Sequence, residues 1–406
     1  MNRKNISVID KPLLTGDKDF DFLLSCLPFE HQNQTINLSW SCPAWLWNSS
    51  FWTVSVKEDN LLPIPLTHRT VVIFMVLYLI IISLAVLGNS CVLLIIGCIK
   101  RIKTVTDMYI ISLAASDFMI ATLNMPFQLY FIVANEWPTG GDAGLFLCKF
   151  SNFIQGVSVV ASILTLLFIA LDRYLVICST SLAHKYHKQR TAAIIIVLVW
   201  GLSIAALSPH LFFQNLDKRI KIEESDGKLV MKGFGYLCAE FYPNEYFSKI
   251  YSALMYVLVY LVPIFIMAYS YAKIGHRLWI IKPIGIDSGS SRSHFRIIQR
   301  KKRIIKMLLL VVLAFTVLWL PYFTFSLYRE FASATDQNFR MRSAILKLIG
   351  YSNCCVNPII YTFLSRTFQN EFIKMCCKNR VIVTSSNYKT DSMKNSKKEG
   401  TRETKF

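Results

Sequence analysis

Seven apolar stretches, at about 70–98, 107–133, 146–178, 191–213, 248–280, 304–328 and 341–364, decide most of what this chain can fold into. Each is long enough to cross the hydrocarbon core of a bilayer, which takes about 20 helical residues. Lipid offers the backbone no water, so a spanning segment must pair its own N–H and C=O groups, and runs of this length do so as helices. Composition agrees: 53% of residues are hydrophobic and 17% charged, against about 25% charged in soluble domains. Soluble, fibrous and disulfide-scaffold folds are excluded, and the fold class is an all-α membrane protein, a seven-helix bundle. Prolines inside the stretches (Pro126, Pro209, Pro263, Pro321 and Pro358) mark bends within a packed bundle.

Charge orients the bundle. The net charge of +19 would suggest a nucleic-acid partner if it were evenly spread. It is not: 99–107, 172–190, 272–306 and 365–406 hold 27 of the 44 basic residues and 7 of the 25 acidic ones. Asp117 apart, the rest of the chain balances at 17 and 17. The basic side is therefore the cytoplasmic one, no nucleic acid is expected, and the basic runs form a collar at the lipid headgroups. Four Asn-x-Ser/Thr triplets, at Asn5, Asn33, Asn37 and Asn48, all precede the first span, as glycosylation of an exported N-terminus requires. Four parts follow: an extracellular glycosylated tail (1–69), the bundle (70–364), an amphipathic juxtamembrane helix (365–379) and a disordered cytoplasmic tail (380–406). No signal peptide precedes the first span, which is expected to act as its own insertion signal. The expected location is the plasma membrane, multi-pass, with the N-terminus outside.

Cys148, opening the third span, and Cys238, in the long loop before the fifth, both face the oxidising side and can bridge that loop to the bundle. Cys26 and Cys42 in the N-terminal tail offer a second bridge. Cys376 and Cys377 follow the amphipathic stretch, where palmitoylation fits better than metal binding. Asp117 is the only acid in mid-membrane, a position where an ionisable group points to function. Asn89, Ser162, Asn353 and Asn357 are its candidate partners. Together they can share a proton, hold a sodium ion or form a polar network that rearranges.

Gly88-Asn89, Leu113-Ala114-x-x-Asp117, Asp172-Arg173-Tyr174, Trp200, Pro263 with Tyr271, Trp319-Leu320-Pro321 and Asn357-Pro358-Ile359-Ile360-Tyr361 occur in this order. Over about 70–377 this series resembles the rhodopsin-like (class A) G-protein-coupled receptors. The resemblance implies a sodium pocket of Asp117, Ser162, Asn353 and Asn357, sodium being the one metal and no other cofactor being expected. It implies a connector of Ile163, Pro263 and Phe315 below the ligand, with Trp319 as toggle above Pro321. It implies that Asp172, Arg173, Tyr174, Tyr271, Pro358 and Tyr361 belong to the switch that rearranges when the sixth helix swings outward. A heterotrimeric G protein, arrestin and the bilayer are the implied partners. Lys301 stands where some members place an acid paired with Arg173, so that lock is absent. The second intracellular loop, Leu175 to Leu182, lacks the family's usual Pro, and the first extracellular loop, Trp137 to Asp142, is longer than usual.

The run Gln155 to Leu166 and Cys238-Ala239-Glu240-Phe241-Tyr242-Pro243 resemble the neuropeptide FF, RFamide, orexin and neuropeptide Y receptor group. Gln155 stands where amine receptors carry Asp, and Tyr351 where opsins carry the retinal lysine, which argues against both ligand types. Gln155 can donate to and accept from an amide, while Glu240 and Glu330 can pair with an arginine. Tyr322, Phe325, Phe127 and Tyr130 supply aromatic walls, and Lys347 also lines the expected pocket. The expected ligand is a C-terminally amidated peptide with a basic-aromatic end. The alternative is an anionic lipid or small metabolite anchored on Lys347 and Arg329, or a constitutively active orphan. No inverted repeat suggests a transporter, and no Ser-His-Asp set, metal-ligand spacing or phosphate loop suggests an enzyme.

Overall fold

The computed structural model describes residues 4–7, 29–32, 35–39, 52–57, 66–99, 104–179, 186–225, 228–280, 289–332, 339–365 and 368–374. Cys26, Cys42, Asn33, Asn48, Cys376, Cys377 and the tail from 380 lie outside these. Asn5 and Asn37 fall on short strands, β1 (Lys4–Ser7) and β3 (Thr35–Ser39). With β2 (Phe29–Gln32) and β4 (Trp52–Lys57) these form a sheet in the order β1-β4-β3-β2, parallel at β1–β4 and antiparallel elsewhere. The first span is α1 (His68–Leu93), continued as a π-helix over Leu94–Ile99. The second is α2 (Val105–Leu123) and α3 (Met125–Ala134), the third α4 (Gly141–Cys178) and the fourth α5 (Gln189–Phe213). A long hairpin, β5 (Gln214–Ser225) and β6 (Lys228–Glu240), precedes the fifth span. That span runs as α6 (Glu245–Leu254), a π-helical stretch (Met255–Leu261) and α7 (Val262–Ile280). The sixth and seventh are α8 (Gly289–Phe331) and α9 (Phe339–Leu364). Of the expected juxtamembrane helix, 368–374 are helical and Phe368 stacks on Phe372.

Local sequence sets several boundaries. Thr104 and Asp107 form a reciprocal capping box at the start of α2, Thr104 Oγ1 accepting from the Asp107 N–H at 3.1 Å and Asp107 Oδ2 accepting from the Thr104 N–H at 3.0 Å. Asn124 breaks the second span just before Pro126 and donates to the carbonyl and hydroxyl oxygens of Ser151, so the bend is also a link to α4. Asn135 ends α3 in the left-handed conformation that Asn tolerates. The π-helical stretch in the fifth span finishes at Leu261, two residues before Pro263, whose missing N–H disturbs the helical ladder there.

Among the described residues six helical stretches are long and apolar enough to cross a membrane unaided. α9 is not among them. It carries Arg340, Arg342 and Lys347 near its start and Asn353 and Asn357 further on, but it buries Tyr351, Asn353, Cys354, Asn357 and Tyr361 against its neighbours. The bundle therefore supplies the surroundings that this helix's own sequence does not. Ile73, Val197, Leu202, Phe265 and Val317 face outward on the other spans, as lipid contact requires.

Lipid tails are as apolar as leucine, so burial of apolar surface does little to draw spanning helices together; close packing and interhelical hydrogen bonds take that role. Trp319, Tyr78, Tyr351 and Phe315 are fully buried at the centre, with Tyr351 edge-on to both Tyr78 and Trp319 at 6.1 and 6.2 Å. Two glycines permit this closeness. A Cβ on Gly350 would stand 2.9 Å from the Trp319 ring, and one on Gly88 would stand 2.8 Å from Pro358 Cβ. Gly88→Val should accordingly lower the stability of the purified chain by about 1–3 kcal/mol through overpacking. Gly97→Val is the comparison, because its Cβ would meet nothing within 4 Å. Equal melting temperatures in detergent would remove the α1–α9 contact from this account.

Candidate functional site

The hairpin closes one end of the bundle. Cys148, near the start of α4, is joined to Cys238 on β6, as expected, with Cα atoms 5.6 Å apart. Gln214 and Glu240, the register partners at the hairpin base, are tied to each other and to α4. Gln214 Nε2 donates to Glu240 Oε1 at 3.3 Å, and Gln214 Oε1 accepts from Asn152 Nδ2 at 2.7 Å. The long loop after α3 is fastened too. Trp137 is buried, its backbone N–H donates to the Tyr236 carbonyl (2.7 Å), and its ring N–H donates to the Gly144 carbonyl (3.1 Å).

Beneath the hairpin a cavity of about 650 Å³ opens between the helices. Gln155, Trp319, Tyr322, Phe325, Glu240, Arg329, Glu330 and Lys347 all line it. Gln155 lies deep, 8% exposed. The Tyr351 hydroxyl stands 3.0 Å from Gln155 Oε1 and 2.7 Å from Asn124 Oδ1. That buried triad orients the Gln155 amide and joins the spans that carry Asn124, Gln155 and Tyr351. The position where opsins carry a lysine is thus a tyrosine that holds the cavity floor.

Phe127 and Tyr130 do not line the cavity. Phe127 stacks on Trp137 at 5.7 Å, and Tyr130 is exposed. Gln128 and Phe131 take the inward positions instead. Both pairs are spaced by three residues, so either could share a helix face. The break at Asn124 turns α3 so that the second pair points in.

The two expected acids are already engaged. Glu240 Oε2 accepts from the Tyr242 hydroxyl at 3.1 Å, and His210 Nδ1 approaches Oε1 at 3.2 Å without hydrogen-bond alignment, a contact of charge and dipole. Burial raises the Glu240 carboxyl, but His210, Arg329 and Tyr242 together outweigh it and lower its pKa to about 2. Glu330 accepts from Ser248 Oγ on α6 and from Arg329 Nη2 at 3.1 Å. Lys347 Nζ donates to Gln128 Oε1 at 3.3 Å. Sequence reasoning overlooked His210, Tyr242, Ser248 and Gln128. Of these, His210 carried a signal as an ionisable residue beside Pro209 at the end of a span, and Tyr242 as a member of the Cys238–Pro243 motif.

Asp117, Ser162, Asn353 and Asn357, on the second, third and seventh spans, are each almost wholly buried. Asn357 Nδ2 donates to Asp117 Oδ2 at 2.8 Å, and Asn89 Nδ2 donates to the Ala85 and Cys354 carbonyls, both at 2.9 Å. Asp117 Oδ1, Ser162 Oγ, Asn353 Oδ1 and Asn357 Oδ1 are buried without a hydrogen-bond partner. Ile163, Pro263, Phe315 and Trp319 are buried. Trp319 lines the cavity and touches Tyr351 and Phe315.

At the far end, Arg173 Nη2 lies 2.5 Å from Asp172 Oδ2 and donates to Thr106 Oγ1 at 2.9 Å. The other Asp172 oxygen contacts His187 Nδ1 at 2.6 Å. Tyr174 is half-buried, and the Tyr271 and Tyr361 hydroxyls are buried with no partner. Both rings pack in the same core, Tyr361 on the helix that carries Pro358. Of Lys301 only the backbone is described, within α8.

The description of the matching family is 7 transmembrane receptor (rhodopsin family), and it covers residues 88–361. The QRFP-like peptide receptor of Branchiostoma floridae is 34% identical, over 76% of this chain and 78% of its own. Neuropeptide FF receptor 2 of Mus musculus is 30% identical over 74% and 71%, and the pyroglutamylated RF-amide peptide receptor of Rattus norvegicus 30% over 77% and 71%. With seven helical spans among the described residues, a disulfide-tethered hairpin over a deep cavity and this match through two thirds of its length, the chain belongs to the rhodopsin family of seven-transmembrane receptors.

Proposed function

We propose that the chain is a receptor for a C-terminally amidated peptide with a basic-aromatic end. One observation carries the reading: a single cavity brings a buried, oriented amide, Gln155, together with two carboxylates, Glu240 and Glu330, and the rings of Tyr322 and Phe325. A terminal carboxamide needs a partner that both donates and accepts, an arginine needs carboxylates, and an aromatic residue needs apolar walls. The names of the relatives, which print peptide and RF-amide, support the same class. In cells expressing the chain, amidated Arg-aromatic peptides should raise calcium or change cyclic AMP. Their free acids should be weaker, because the added charge meets the buried Gln155. Glu240→Gln should weaken the amidated peptides by about tenfold or more while preserving surface expression. Equal potency of amide and acid would sink the role of Gln155.

Binding reaches the far end by shifting a two-state bundle, and it does so only as far as the ligand prefers one state. Trp319 is the element that both the cavity and the core touch. Arg173, held by Asp172 and Thr106, and the unpartnered hydroxyls of Tyr271 and Tyr361 are the groups that re-pair when α8 moves outward and a G protein enters. Arrestin is the second partner on that side, reading the phosphorylated tail. The N-terminus lies outside the plasma membrane, where its Asn-x-Ser/Thr sites are glycosylated, and the basic ends lie in the cytoplasm. A glycosidase that removes N-linked sugars should increase the chain's gel mobility, and replacing Asn5, Asn33, Asn37 and Asn48 should abolish that change.

The buried oxygens of Asp117, Ser162, Asn353 and Asn357 that have no hydrogen-bond partner among the described residues suit a small hard cation, which needs several oxygen donors. Sodium held by Asp117, Ser162, Asn353 and Asn357 would neutralise the carboxylate and favour the inactive packing. Raising sodium should therefore lower agonist affinity, and Asp117→Asn should remove that dependence. A sodium effect that survives in Asp117→Asn places the ion elsewhere.

A further inference from the structure

The two acids that a basic ligand requires are engaged by the protein itself. Among the described residues lining the cavity, Glu240 and Glu330 are balanced by Arg329 and Lys347, with His210 beside Glu240. Arg329 differs from the other cations in where it is held. It follows Tyr328 and precedes Glu330 in the last turn of α8, and neighbouring residues of a helix project about 100° apart and do not face one another. Their contact at 3.1 Å therefore requires the guanidinium to fold back over the cavity mouth toward Glu330. From there it also acts on Glu240, whose carboxyl it helps to keep ionised. Glu330 is mostly covered, at 16% exposed, while Arg329 keeps 44% of its side chain exposed and can leave for water at little cost.

We infer that Arg329 is an internal occupant of the subsite for the ligand's basic group, a specificity-determining residue that an incoming guanidinium must displace. The inference rests on the peptide reading above. Its physics is exchange: a ligand arginine that took only the Glu330 contact would replace one guanidinium by another and gain almost nothing. A ligand that reaches Glu330 and Glu240 together gains the second carboxylate, which Arg329 touches only through its field. The device thus discriminates against cations that are not planar and forked, such as a lysine end, because a point charge cannot span both acids. Displacement also replaces one of the two groups that hold Glu330 by a ligand group, leaving Ser248 on α6 as its remaining contact within the protein and so bearing on the link between the fifth and sixth spans.

The test uses the full-length receptor, wild type, R329Q, R329K and R329Q/E330Q, with surface expression measured for each. The probes are Arg-Phe-NH2 and its citrulline-Phe-NH2 counterpart, read by thermal shift on purified protein, together with a signalling assay on longer amidated peptides. R329Q should bind Arg-Phe-NH2 about two- to fivefold more tightly, the worth of one partly exposed ion pair. Citrulline-Phe-NH2 should be unaffected, R329K should fall between R329Q and wild type, and R329Q/E330Q should lose the gain. An unchanged or weakened R329Q, at normal surface expression, overturns the inference. If wild type still signals to amidated peptides in that case, the peptide reading stands without it. If no variant binds Arg-Phe-NH2 and no amidated peptide signals, both fall together.

Discussion

A spanning helix satisfies its own backbone but gains little from touching another apolar helix in lipid. This bundle answers that constraint with buried polar and aromatic contacts at its centre. Asn357 bonds Asp117, Asn89 reaches the Cys354 carbonyl, Trp200 donates to Ser112, and Tyr351 joins Asn124 to Gln155. Each contact links helices far apart in sequence, and each would cost heavily if left unmade in that surrounding. The unpaired oxygens near Asp117 and the unpaired hydroxyls of Tyr271 and Tyr361 are then exceptions that matter. A bundle held by polar contacts and left with open ones is built to re-pair.

The mouth is organised on a different principle. There the hairpin, the Cys148–Cys238 bridge and the Trp137 anchor hold a rigid frame, and the charges within it nearly cancel. Glu240 is shared among Gln214, Tyr242 and His210, and Glu330 between Ser248 and Arg329. A balanced mouth avoids unpaired charge in the empty protein and makes ligand binding a replacement of contacts. Specificity then depends on which groups a ligand can replace better than the protein's own side chains do.

Much of this was legible in the chain. The spans were found to within a few residues at most ends, because a long apolar run has one solution in lipid. The longest departure was the sixth helix, which starts at Gly289, fifteen residues before the apolar run near 304. Helix formation does not stop where lipid does, and a basic, Pro-free segment continues it into water. The hairpin over 214–240 was read only as a loop, although Asp226-Gly227 between its strands is a turn signal. Phe127 was placed in the cavity because aromatic residues suit a ligand wall, and its stacking on Trp137 depends on a helix rotation that composition cannot show.

The sequence by itself determined that the chain lies in membrane, how many times it crosses and where its basic residues gather. These follow from local hydropathy, charge and motif order, properties a chain has before it folds. Tertiary structure alone decided which acids are free to meet a ligand. Glu330 already reads as an acid that its neighbour Arg329 can neutralise, but Glu240 reads as open until His210 from the fourth span is brought against it, and Ser248 from the fifth span adds a second contact to Glu330. Electrostatic pairing acts over a few ångströms in space, and the residues that satisfy a charge need not be its neighbours along the chain.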